Sequence, residues 1–107
     1  AWDPAAHGGT AVPTELRLVR LMLGETRAGQ GFNLQVHGES GLVIICEGAR
    51  ASTVVVFDGK PLVTAYGGQR LLTVALPPDR YAQPGRYLVS LKDGDRESNR
   101  VEFVVSP

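Results

Sequence analysis

The sequence predicts an all-β domain, an antiparallel sandwich of about eight short strands. Three observations predict it. Apolar residues alternate with period two, as in Phe32, Leu34, Val36 and in Val101, Phe103, Val105. Turn signals such as Gly29-Gln30-Gly31, Asp58-Gly59, Gly67-Gly68 and Asp93-Gly94-Asp95 interrupt that alternation every ~8–12 residues. The longest connection, Pro77 to Gly85, is too rich in proline for a helix interior and reads as a crossover between sheets.

Residues 1–13 combine small residues, two prolines and a Gly-Gly pair, which marks a linker or arm before a domain at 14–107. Trp2 stands out there as a candidate anchor on a neighbouring surface. Leu16 and Leu18 share one face of the next segment and Leu21 and Leu23 the other. That change of phase predicts a bulge or a strand that switches sheets. Phe32 to His37 is expected to be a half-buried strand, and Leu42 to Cys46, apolar on both faces, a central or covered one. Thr53 to Phe57 has the β-branched and aromatic residues that strands prefer. Asp58-Gly59 turns the chain into Lys60 to Tyr66, where Pro61 belongs at a strand start or an edge. Gly67-Gly68 leads to Leu71 to Leu76. Gly85 to Val105 then forms a hairpin around Asp93-Gly94-Asp95, with Asn99 bonding local backbone at the entry to the last strand. Gly59, Gly85, Gly94 and Asn99 are the expected structural turn residues.

Composition bounds the function. The chain has 107 residues, with 43% hydrophobic and 21% charged side chains, ordinary values for one globular domain. Lys+Arg and Asp+Glu are both 11, so no net field draws in nucleic acid or an anionic membrane. The longest apolar run, Leu42 to Cys46, is far short of the ~18 residues that read as a transmembrane helix. Cys46 is the one cysteine, so no internal disulfide forms. The chain opens on Ala1 without a leader-like segment, as expected of an excised domain or of a chain whose initiator Met was removed.

Candidate chemistry is sparse. Cys46 lies in an apolar strand, where a thiol behaves as a small hydrophobe, so pairing it with His37 as nucleophile and base is disfavoured. His7, His37 and Cys46 lack the close spacing of zinc ligands. Asp93 to Asn99 places oxygens at alternate positions but lacks the glycine and the acidic residue a calcium loop needs. No phosphate loop or nucleophile elbow is present. We therefore expect no enzyme activity, no cofactor and no metal. Tyr66, Arg70 and Tyr81 are the candidate aromatic-cationic contact residues for protein or glycan, with Tyr87 assigned to the core.

Taken together, Val54-Val55-Val56-Phe57-Asp58-Gly59-Lys60, Thr64-Ala65-Tyr66, Leu72 to Pro77, Pro84-Gly85, Tyr87-Leu88-Val89 and Ser98-Asn99 before Phe103 resemble the IPT/TIG immunoglobulin-like domains. The likeness runs from about Thr14 to Val105. One departure is Glu39 to Ala51, where the apolar run around Cys46 looks like an extra strand or an altered edge. The resemblance implies an immunoglobulin-like antiparallel β-sandwich, of a family that occurs as modules in receptors, transcription factors and bacterial surface proteins. The expectation is a non-catalytic binding or spacer module for protein or glycan, part of a larger bacterial protein. The resemblance alone favours an extracellular or cell-surface location. The alternative is a structural subunit of a homo-oligomeric assembly (filament, virion decoration or surface layer) that uses the arm and exposed strand edges.

Overall fold

The computed structural model describes residues 15–36 and 38–107. The arm, with Trp2 and His7, and His37 lie outside the described residues. Among the described residues ten strands form two packed sheets, with one short 3-10 helix at Pro78–Tyr81. The strands are β1 (Arg17–Leu21), β2 (Glu25–Arg27), β3 (Ser40–Glu47), β4 (Val54–Phe57), β5 (Lys60–Leu62), β6 (Thr64–Gly68), β7 (Leu71–Leu76), β8 (Gly85–Asp93), β9 (Arg96–Glu97) and β10 (Val101–Ser106). One sheet has the order β1-β3-β7-β6 and the other β2-β10-β8-β4-β5, with β9 extending β8 as a hairpin. This is the immunoglobulin-like arrangement of two sheets with crossing connections. The count exceeds the expected eight because Lys60 to Tyr66 divides into β5 and β6 and the short strands β2 and β9 are added, while the strand expected from Phe32 is absent. All pairings are antiparallel except β2 with β10, which is parallel.

The first switch follows the phase change among the leucines. The β1–β3 register slips between Leu18 and Arg20, so Leu16, Leu18 and Leu21 all reach the core. The chain then crosses to the other sheet as β2, leaving Leu23 exposed. The second switch is at Val63. There Thr64 Oγ1 accepts from the Val55 amide (3.0 Å) and donates to the Leu62 carbonyl (2.9 Å), which fixes the corner.

β3 is not an edge. It lies between β1 and β7 and sends Leu42, Ile44 and Cys46 into the core. The expected strand over Phe32 to His37 is a correction. Residues 32–36 form an irregular segment held to β3 by a single bridge, Leu34 to Ser40. Only Phe32 turns inward, against Tyr81 and Phe103 (ring centroids 5.8 Å for each). Leu34 and Val36 are 68% and 96% exposed. Gly67-Gly68 lies in the irregular end of β6, so the turn is at Gln69-Arg70. Gly85 is not in a turn: it is the first residue of β8 and pairs with Val105.

Both sheets line one core. Phe103 and Phe57 meet edge-on at 5.7 Å, and Tyr87 stacks on Phe57 at 5.5 Å, as aromatic pairs prefer. Two tight turns follow from local chemistry. Phe57 pairs with Lys60, leaving Asp58-Gly59 as a two-residue loop with φ of 51° and 80°, the positive pair of a type I′ turn. Asp93 pairs with Arg96, leaving Gly94-Asp95 with the positive φ (60°) at the glycine.

A Cβ at either glycine meets left-handed strain and nothing to pack against. Gly59→Ala and Gly94→Ala should each lower stability by about 1 kcal/mol or more in urea unfolding. An unchanged midpoint at either site would mean that its turn tolerates an ordinary φ.

Candidate functional site

Most polar side chains of this chain with defined partners are engaged in holding the fold. Ser98 donates its amide to the Leu91 carbonyl (2.9 Å), and its Oγ accepts the Leu91 amide (2.7 Å). This places Asn99 at the edge of β1. Asn99 Oδ1 accepts the Leu18 amide and Asn99 Nδ2 donates to the Leu18 carbonyl, both at 2.9 Å. The expected local bond of Asn99 is thus a long-range clamp. One carboxamide satisfies both backbone groups of Leu18, as a neighbouring strand would.

A second cluster pins the β3–β4 loop to the β8–β9 hairpin. Asp93 accepts from Ser52 Oγ (2.9 and 3.0 Å), Thr53 Oγ1 (3.0 Å) and Arg96 Nη2 (3.0 Å). Arg96 Nη1 also donates to the Gly48 carbonyl (3.0 Å). Burial acts to raise the Asp93 carboxyl. The hydrogen bonds from Ser52, Arg96 and Thr53, with the Arg96 charge, outweigh it and hold the group below the ordinary carboxylate range. Asp93 is therefore a structural anion. Among the described residues, no group of three His, Cys, Asp or Glu side chains is placed to hold a metal ion.

Cys46 is buried, with its thiol 3.7 Å from the Gln69 carbonyl. Burial, and then the nearby Glu47 charge, push it above the ordinary thiol value, the wrong direction for a nucleophile. Tyr81, a candidate contact residue, is 2% exposed, and its Oη accepts from the buried Ser40 hydroxyl (2.8 Å). It leaves the aromatic-cationic patch for the core. Tyr66 and Arg70 remain exposed at the β6–β7 end. Tyr87 is half-buried and donates to the Gln83 carbonyl (2.6 Å).

Two depressions among the described residues differ in chemistry. On the outer face of the five-strand array, Val56, Leu88, Ser90, Glu97 and Arg100 line about 360 Å³, with Arg100 and Glu97 paired at 3.8 Å. On the outer face of the four-stranded sheet, a groove of about 410 Å³ runs over Val43, Thr73, Ala65 and Ala75. The amides of Asn33 and Gln35 wall one side and Val63, 83% exposed, sits at its end. No charged side chain lines it. Exposed Leu34 and Val36 flank those amides in sequence. This site was not among the sequence candidates. Its one signal was that Leu42 to Cys46 is apolar on both faces: the outward Val43 belongs to the groove, and the outward Ile45 follows it on the same face of β3.

Two outcomes test the polar assignments. Asn99→Ala strands the Leu18 amide and carbonyl and should cost about 1–3 kcal/mol, and Asn99→Asp, which keeps the acceptor but sets a carboxylate oxygen against the Leu18 carbonyl, should also destabilise. Equal stability of all three proteins in urea unfolding would remove the clamp. Asp93 is depressed when folded, so the unfolded state binds more protons between the two pKa values and stability rises with pH there. The deficit of Asp93→Asn should be full above about pH 5 and shrink as pH falls below about 4. A deficit that stays constant down to about pH 2 would mean that the Asp93 charge contributes nothing.

No protein-family model matches the chain and no curated protein matches its sequence, so the resemblance to IPT/TIG domains rests on the residues quoted above.

Proposed function

We propose that this domain is a non-catalytic immunoglobulin-like binding module that takes protein segments on the outer face of its four-stranded sheet. The observation that carries this reading is the uncharged groove over Val43, Thr73, Ala65 and Ala75, beside the open strand β6. An exposed sheet face normally turns polar residues to water. Here the outward residues of β3 and β7 are Gly41, Val43, Ile45, Glu47, Leu71, Thr73 and Ala75, of which Glu47 alone is charged, a more apolar face than solvent requires.

The lining chemistry favours protein over glycan. Sugar faces stack on exposed aromatic rings, and the groove has none, with Tyr81 withdrawn to the core. Its polar groups are carboxamides and hydroxyls, which pair with peptide backbone as well as with side chains. A neutral, extended segment with small or β-branched side chains fits such a floor, with main-chain bonds along β6 adding affinity. The spacer role needs no site and accounts for none of these residues.

Selection of a displayed random-peptide library on the wild-type domain tests the reading. The expected winners are uncharged, β-branched sequences whose binding falls about tenfold or more on Thr73→Glu, a loss of about 1.4 kcal/mol. Winners that bind Thr73→Glu equally well, or no enrichment at all, would overturn it.

A further inference from the structure

Among the described residues, the two sheets have four outer edges, and three are closed. β5 carries Lys60 and Pro61, and proline has no amide to offer. β2 is three residues long and carries Glu25 and Arg27. β1 is interrupted by its bulge, and the outward groups of Leu18 are taken by Asn99. β6 has none of these charges or prolines. It reads Thr64-Ala65-Tyr66-Gly67-Gly68, ends its sheet, and exposes Ala65, Tyr66 and Gly67.

We propose that β6 pairs antiparallel with β6 of a second copy of this chain, about a two-fold axis at Ala65, joining two four-stranded sheets into one of eight. This names the partner for the surface proposed above and rests on that reading. The choice of a second copy follows from charge and register. A two-fold pairing sets a strand against its own sequence, so any charge on it meets its like. β6 has no charge to repel, and the chain's net charge is zero. With the axis at Ala65, Val63 lies opposite Gly67 and Thr64 opposite Tyr66. Each bulky side chain then faces a small or hydroxyl-bearing one, and the most exposed residue of the corner, Val63, is covered. Lys60 stays out of line because the chain changes sheets at Val63. The irregularity between Tyr66 and Gly68 ends the straight part of the edge, so the contact is short and the dimer weak.

Sedimentation velocity across a concentration series reaching about 1 mM reads this directly. Wild type should shift from monomer towards dimer. Ala65→Lys should stay monomeric at every concentration, with an unchanged thermal melt because the position is exposed. In a second measurement, Ala65→Cys under mild oxidation should form a covalent dimer about tenfold or more faster than Asp95→Cys, an exposed site on the far hairpin. Cys46 is buried and stays silent. A wild type that remains monomeric, a dimer that ignores Ala65→Lys, or cross-linking no faster than the Asp95→Cys control would each overturn the pairing. If the pairing fails while selected peptides still bind and are lost on Thr73→Glu, only the second copy is wrong. If both fail, the surface itself is wrong.

Discussion

The Asn99 carboxamide and the backbone of Leu18 make the contact on which the two-sheet arrangement most depends. β1 belongs to one sheet and continues into β2 of the other, so it must be held at a defined point before it leaves. Asn99 supplies that point from the β9–β10 connection. Its own position is fixed by Ser98, which exchanges two hydrogen bonds with Leu91, a fully buried residue. The order of dependence runs from core packing to Ser98, from Ser98 to Asn99, and from Asn99 to β1. The same two bonds also close an edge that would otherwise offer free backbone groups to another chain.

The Asp93 cluster does the corresponding work at the β3–β4 crossing. Loop residues 48–53 carry the chain between the sheets, and Ser52, Thr53 and the Gly48 carbonyl tie that loop to Asp93 and Arg96 of the hairpin. A carboxylate with three donors is fully employed. Its low proton affinity reports the strength of those bonds, since groups that favour the charged form lower the pKa. In the oxygen-rich run from Asp93 to Asn99, the side chains of Asp93, Glu97, Ser98 and Asn99 all make contacts within the protein.

Fold and site were legible to different degrees, for physical reasons. Alternation and turn chemistry report local geometry, so β4, β7, β8, β10 and the two glycine turns could be placed from residues alone. The phase change at Leu16 to Leu23 was a true signal of the bulge and the switch. Phe32 to Val36 misled because alternation says which side chains could share a face, not whether a sheet offers them a place. β3 already fills the position beside β7. Asn99 looked local because its partner is 81 residues away, and no short-range pattern encodes that. Tyr81 looked like surface because it sits in a proline-rich connection. What buries it is a hydroxyl bond to Ser40, 41 residues distant.

The groove has a related cause. A core of this size needs one apolar face per strand, and β3 has two. The inward set, Leu42, Ile44 and Cys46, completes the packing by itself. Val43 and Ile45 on the outward face of β3 are surplus to folding, as is Val63, which lines the groove with Val43. Surplus apolar surface is tolerated singly, but a contiguous patch beside an unclosed edge carries an aggregation hazard. The other three edges show that this chain can close an edge with a proline, a charge or a carboxamide. The open edge and the surplus apolar face are the two features that the proposed contact surface would account for at once.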